Sequence, residues 1–138
     1  MFPVFSGHLI SGHGRGKKLE VPTLNLDRIK GDKPQDFGVY AVYASWQRKT
    51  YQGVMHIGPR PTFNELDVSI EVHLLDYEKK SQDDSKLIEK ADLVVKITII
   101  EKLRSIKKFN NPEALKKQMR KDMISARLSL KKHPCSLI

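Results

Sequence analysis

Alternating apolar and polar positions predict a chain built mainly from β-strands. Five short segments are predicted to be strands: residues 5–10, 37–45, 50–57, 68–75 and 91–103. Valine and aromatic residues dominate 37–45, and β-branched residues dominate 91–103. In the fourth segment the even-numbered positions are apolar, whereas Glu71 and His73 lie on the opposite face. This strand therefore has one face in a core, and its second face meets either solvent or a ligand cleft.

Glycine and proline mark the connections between these segments. Residues 19–26 alternate only in part, and Pro22 lacks a backbone donor, so this stretch is expected at a sheet edge or a bulge. Residues 30–36 carry turn signals, and residues 47–49 form a polar turn that makes a hairpin of the strands beside it.

A single helix follows the last strand. Asn111 is a suitable N-cap, Pro112 fits the first turn, and apolar residues then recur at helical spacing to about Lys131. Many strands followed by one helix favour an antiparallel barrel capped by that helix over a parallel α/β sheet.

The amino-acid composition indicates which class of protein to expect. The chain has 138 residues, of which 39% are hydrophobic and 30% charged, and this indicates one globular domain over residues 1–138. We expect a cytoplasmic protein with no membrane partner, because no apolar run could cross a bilayer and no secretory signal is evident. Cys135 is the sole cysteine, which excludes an intrachain disulfide and a zinc site built on cysteines.

The net charge of +9 has two interpretations. Scattered lysines can simply form a solvated surface, or they can attract nucleic acid or a phosphorylated ligand. The glycine-rich segment 12–18 sharpens the second interpretation, because its backbone N–H groups and the side chain of Lys18 could surround phosphates. On spacing alone, a solvated hairpin loop is an equal explanation of this segment.

Three further groups could carry chemistry. Thr23 and Asn25 are two residues apart, so on an extended backbone their oxygen atoms could hold Mg²⁺ together, although on spacing alone a polar strand end is the better explanation. Glu71 could accept a proton if its face lines a cleft, and is otherwise an ordinary exposed glutamate. Arg104, with Lys107 or Phe109, could hold a flat ligand, unless Phe109 merely packs under the helix.

In this order the segments resemble the riboflavin kinase family. The family pattern G-x-x-x-x-G-x-G-R-G-x-x-L-G-x-P-T-A-N runs here from Gly7 to Asn25. Later landmarks are Gly38-Val39-Tyr40, Ile57-Gly58, Arg60-Pro61-Thr62-Phe63, Glu71-Val72-His73, Leu103-Arg104 and Lys108-Phe109. The chain differs from the usual family pattern at Glu20, Leu24 and Ile106, where glycine, alanine and glutamate are common.

The resemblance implies a six-stranded antiparallel Greek-key barrel with a C-terminal helix. It implies a kinase that phosphorylates riboflavin with ATP and Mg²⁺ to give FMN and ADP. By the same resemblance, Glu71 is the catalytic base, and Arg104, Lys107 and Phe109 contact the flavin. Thr23 and Asn25 hold the metal and the nucleotide phosphates, which Gly12, Gly14 and Lys18 also contact.

We expect a monomer whose ligands are riboflavin and ATP rather than nucleic acid. No H-x-G-H nucleotidyltransferase motif is present in the sequence, so FMN rather than FAD is the expected product. Two other hypotheses remain open at this point. One is a homologue that binds flavin without catalysis, and the other is a small basic barrel that binds nucleic acid.

Overall fold

The computed structural model describes residues 2–10, 23–59, 68–77 and 94–135. Within these ranges six strands precede one helix. The strands are β1 (Val4–Leu9), β2 (Thr23–Gly31), β3 (Gly38–Trp46), β4 (Lys49–Pro59), β5 (Val68–Leu74) and β6 (Val94–Arg104), and the helix is α1 (Pro112–Lys132).

The strands close into a barrel in the order β1-β2-β5-β4-β3-β6, and each neighbouring pair is antiparallel. This confirms the predicted six-stranded barrel with a C-terminal helix. Closure gives every described strand a neighbour on each side, which limits the backbone left open at a sheet edge.

Alternation along each strand divides the apolar residues between two cores. The barrel interior is filled by one face of every strand, including Leu24, Met55 and Val72, which are almost fully buried. The other face of β3, β4 and β6 packs against α1 through a second cluster that contains Val39 and Leu130. The helix therefore covers the outside of the barrel next to the second face of β5.

The end of β2 differs from the sequence prediction. The turn predicted at residues 30–36 begins later, because Lys30 and Gly31 still pair with Ser6 and Phe5 of β1. Gly31 then ends β2 with a φ of 106°, a conformation that favours glycine. Pro22, predicted at an edge or bulge, lies outside the described residues.

The β3–β4 hairpin turns at residues 47 and 48, and both have positive φ. Two positive φ values are required by the two-residue turn that matches the twist of a hairpin. Neither residue is glycine or asparagine, so the long register between β3 and β4 stabilises this strained turn.

The N-cap of α1 forms as predicted, because the Asn111 side chain accepts a hydrogen bond from the backbone N–H of Ala114 at 2.8 Å. We expect Asn111→Ala to lower the free energy of unfolding by about 1 kcal/mol, since one N–H loses its partner. Urea unfolding measures the change. Asn110→Ala, at the exposed residue next to it, is the matched control, and equal losses in both variants would contradict the assignment.

Within the four described ranges, no helix combines the length and the apolar character needed to cross a bilayer.

Candidate active site between the barrel and the helix

A cavity of about 240 Å³ lies between the outer surface of the barrel and α1. Strand β4 contributes His56 to its wall, β5 contributes Glu71 and His73, and β6 ends in Arg104 at the same cavity. Aliphatic and aromatic side chains form most of the remaining wall: Val39, Val54, Phe109, Leu115, Met119 and Met123. The site thus places a few polar groups on one side of an apolar hollow.

The register of the sheet brings the predicted polar residues onto one surface. Asn25 of β2 lies directly opposite Glu71, and on the other side of β5 His56 also lies opposite Glu71. Side chains that are directly opposite in an antiparallel pair point to the same face, with Cβ atoms about 4.5–5.5 Å apart. Asn25 and His56 therefore flank Glu71 on the face that α1 partly covers.

Thr23 joins this group through His73. The two residues are opposite each other in the β2–β5 register, and the Thr23 Oγ1 atom lies 3.0 Å from the His73 Nδ1 atom. Thr23 and Asn25 also share a face, because Leu24 between them points into the barrel interior with 4% of its surface exposed. Leu24, one of the differences from the family pattern, is therefore a core residue that points away from this polar face.

The flavin-binding residues predicted after β6 also lie together at the cavity. The Arg104 guanidinium carbon and the Lys107 Nζ atom each lie 5.8 Å from the centre of the Phe109 ring. Phe109 lines the cavity and is only half-buried, so it does not simply pack under the helix. This combination of a ring and two cations could contact a flat ligand by stacking and charge.

Asp122 of α1 holds Arg104 in place. Its two carboxylate oxygens accept hydrogen bonds from Arg104 Nε and Nη2, both at 2.8 Å, and Gln118 Nε2 donates a third at 3.0 Å. The side chains of Arg104 and Asp122 are 19% and 7% exposed, so the pair is largely removed from water. A bidentate pair of this kind fixes the guanidinium plane at the cavity wall.

Asp122 and His56 line the cavity but were not predicted from the sequence. A signal for Asp122 was present, since it falls within the apolar helical stripe that contains Met119, Met123 and Ala126. A charged residue on a buried stripe requires a partner. His56 carried no such signal, because its position opposite Glu71 depends on the β4–β5 register.

Burial lowers the pKa of both cavity histidines below the ordinary value of 6.5. In each case desolvation of the charged ring is the largest cause, and the nearby Glu71 carboxylate opposes it. The Arg104 charge also lowers the pKa of His56, and His56 lowers that of His73. Both rings are therefore predominantly neutral at neutral pH.

These lowered pKa values predict that the protein loses stability as the pH falls from about 7.5 to about 5.5. Below pH 6.5 the unfolded chain binds protons at these histidines that the folded chain does not yet bind, so unfolding becomes easier. Urea unfolding at several pH values measures this slope. We expect His56→Gln to reduce this slope, because one of the two buried rings is removed. A parent whose stability is constant over this range would contradict the interpretation.

The predicted phosphate-contacting residues Gly12, Gly14 and Lys18 lie outside the described residues, as does Glu20. Ile106, another difference from the family pattern, packs next to Gly58 of β4. It therefore supports the loop between β6 and α1 through an apolar contact.

Among the described ranges, no cluster of three or more His, Cys, Asp or Glu side chains could hold a metal ion. The donor set at Thr23 and Asn25 is different, since it consists of a hydroxyl and a carboxamide oxygen on one face beside Glu71. Neutral oxygen ligands suit Mg²⁺, which binds few protein groups and takes its other ligands from phosphates and water. These residues therefore fit a divalent cation that takes its other ligands from phosphates and water.

The model of the family described as "Flavokinase: Riboflavin kinase" matches residues 3–130. The chain is 30% identical over 122 residues to the RNA-binding riboflavin kinase RibR of Bacillus subtilis, with 87% of this chain and 48% of RibR covered. It is 34% identical over 119 residues to a bifunctional riboflavin kinase/FMN adenylyltransferase of the same organism, covering 84% and 35% of the two chains.

The chain thus spans about half or less of the length of these relatives. Among solved structures, a macrolide-efflux protein from Streptococcus pneumoniae matches with a TM-score of 0.70 and 23% identity, over 90% of this chain and 38% of the other. Riboflavin kinase from Trypanosoma brucei matches with a TM-score of 0.62 and 21% identity, over 96% and 83%. At these identities the two structures support the barrel fold.

Proposed function

We propose that this chain, which belongs to the riboflavin kinase family, transfers the terminal phosphate of ATP to the ribityl 5′-hydroxyl of riboflavin, giving FMN and ADP. The observation that carries the proposal is the position of Glu71. This carboxylate lines the cavity under α1 and lies between Asn25 and His56 on a polar surface that continues to Thr23. A hydroxyl bound in the cavity could therefore meet a base and a metal-bound phosphate.

The apolar part of the cavity suits the isoalloxazine ring. Its wall contains the flexible side chains of Met119 and Met123 from α1 and the apolar side chain of Val54 from β4. Phe109 adds an aromatic ring to the same wall. Arg104 and Lys107 beside Phe109 supply positive charge near the ring or its polar edge. Riboflavin bound in this way would have its ribityl chain directed toward Glu71.

The nucleotide would bind on the β2 side of Glu71. Thr23 and Asn25 would hold Mg²⁺ together with the phosphates, and the ion would neutralise phosphate charge there. The glycine-rich residues Gly12 and Gly14, with Lys18, are proposed to contact the same phosphates through backbone N–H groups and an ammonium group. Because Asn25 lies opposite Glu71, the two substrates would bind next to each other.

Glu71 then acts as the general base. Its carboxylate accepts the proton of the ribityl hydroxyl as the hydroxyl oxygen forms a bond to the terminal phosphorus atom and the bond to ADP breaks. Desolvation by the covering helix strengthens the electrostatic interactions of the site, and the fixed pair of Arg104 and Asp122 keeps the flavin wall in one orientation.

Incubation with riboflavin and MgATP, followed by chromatographic separation of flavins, tests this proposal. We expect FMN and ADP to accumulate in equimolar amounts. Chelation of the metal should stop the formation of both. Tight flavin binding without FMN would support a non-catalytic flavin-binding homologue instead. The proposal would be overturned if the protein neither bound riboflavin nor converted it.

RNA binding is a second candidate function, because the exposed face of α1 is strongly basic. The helix carries seven lysine and arginine residues against Glu113 and Asp122, and Asp122 is already paired with Arg104. One relative is named an RNA-binding riboflavin kinase. A face of this charge could bind the phosphates of a polyanion. The exposed cations are Lys117, Arg120, Lys121, Arg127, Lys131 and Lys132.

This second function predicts binding of a labelled RNA oligonucleotide that weakens steeply as salt is raised, because counterions are released from the phosphates. The double variant Lys121→Glu, Arg127→Glu should weaken RNA binding and leave FMN formation unchanged, since neither side chain lines the cavity. Absence of RNA binding by the parent at low salt would dismiss this candidate.

A further inference from the structure

The hydrogen bond between Thr23 and His73 constrains where the hydroxyl proton of Thr23 can point. The Thr23 Oγ1 atom and the His73 Nδ1 atom are 3.0 Å apart, and the residues are directly opposite in the β2–β5 register. His73 is 9% exposed, so water has little access to this contact. The bond therefore belongs to the framework of the site rather than to its surface.

A threonine hydroxyl has one proton to donate and two lone pairs that accept. When such an oxygen holds a cation, a lone pair must face the ion and the proton must point elsewhere. An unprotonated Nδ1 atom accepts that proton. A protonated Nδ1 atom would instead donate to one lone pair of Oγ1, and the hydroxyl proton would then lack this acceptor and could turn toward the cation.

We propose that His73 is a positioning residue, whose Nδ1 atom accepts the Thr23 hydroxyl proton and so directs the Thr23 lone pairs toward the nucleotide-bound divalent cation. This inference rests on the proposed function for the identity of the ligand. Groups behind metal ligands commonly set ligand orientation in this way. Because His73 follows Glu71 by two residues on one face of β5, the same strand positions the base and orients the metal ligand.

Nitrogen NMR of the histidine rings tests the inference in the parent protein without any ligand. The proposal requires the His73 ring to carry its proton on Nε2 and to show an unprotonated, hydrogen-bonded Nδ1 atom. Thr23→Val should shift the Nδ1 resonance, since its hydrogen-bond donor is removed. A ring with its proton on Nδ1 would overturn the proposal, and this measurement does not depend on any His73 variant folding.

Metal affinity provides the second test. Mn²⁺ binding in the presence of ADP can be followed by electron paramagnetic resonance in the parent, in His73→Leu and in His73→Asn. We expect His73→Leu to weaken Mn²⁺ binding by about tenfold or more, as is usual when the partner of a metal ligand is lost. His73→Asn should restore most of the affinity, because its Oδ1 atom can accept the same proton.

A double-mutant cycle separates positioning from a general structural effect. If His73 acts through Thr23, then His73→Leu should have little further effect on Mn²⁺ affinity in a Thr23→Val background. Additive losses, or equal losses in His73→Leu and His73→Asn, would overturn the inference. Failure of the proposed function is distinguishable, because it would appear as a parent that makes no FMN while the ring NMR and the Mn²⁺ cycle still give the expected results.

Discussion

Glu71→Gln is expected to lower kcat for FMN formation by about 10²–10⁴-fold, the usual contribution of a general base. Glutamine keeps the size of the side chain and its place between Asn25 and His56, but cannot take the proton of the ribityl hydroxyl. Because the riboflavin ring would bind in the apolar part of the cavity, KM for riboflavin should change little. Steady-state kinetics measured by FMN chromatography gives both constants.

Glu101→Gln is the matched control for this experiment. Glu101 is an exposed glutamate of β6 that does not line the cavity, so the same change of charge should leave kcat at the parent value. Similar thermal unfolding of both variants would show that the loss is chemical. A Glu71→Gln protein with at least half of the parent kcat would contradict the assignment of Glu71 as the base.

Asp122→Asn should have the largest effect on stability, about 3 kcal/mol in the free energy of unfolding. Removing one partner of a buried ion pair leaves the other charge without compensation, and losses of about 3–5 kcal/mol are typical. The lower end applies here because 19% of the Arg104 side chain is exposed to water. In addition, one amide N–H would face the Arg104 donors, so the guanidinium would leave its present orientation.

The same variant should weaken riboflavin binding, because Arg104 and Phe109 share the wall of the cavity. Urea unfolding and fluorescence titration with riboflavin measure the two effects. Asp27→Asn, at an exposed aspartate of β2, is the control and should change stability by less than about 0.5 kcal/mol. Parent-like stability of Asp122→Asn would show that the pair does not hold α1 on the barrel.

Much of the fold could be predicted because local patterns agree with it. Alternation in β5 is strict enough to assign Glu71 and His73 to the face opposite the core, and Asn111-Pro112 marks the start of α1. The end of β2 was harder to predict from the sequence. Its last residues, Lys30 and Gly31, have turn-forming character but gain backbone partners in β1. At this position the pairing with β1 outweighs the local preference of these residues for a turn.

The site depends on register, which no local pattern specifies. Thr23 and Asn25 could be paired from their spacing, but only the β2–β5 register places them opposite His73 and Glu71. The contact of Asp122 with Arg104 joins the helix to the last strand across the cavity. Of the residues implied by the family resemblance, those that the structure describes lie on or beside one face of the barrel. Their supporting residues, such as Asp122, became evident only from the structure.

A crystal structure of the protein with FMN, ADP and Mg²⁺ tests the proposed site most directly. We expect the isoalloxazine ring to lie in the cavity under α1, with the phosphate-bearing end of FMN within hydrogen-bond reach of Glu71. We also expect the metal ion to bind the oxygen atoms of Thr23 and Asn25. A flavin bound elsewhere on the barrel, or a metal ion remote from these two residues, would show that the proposed site is wrong.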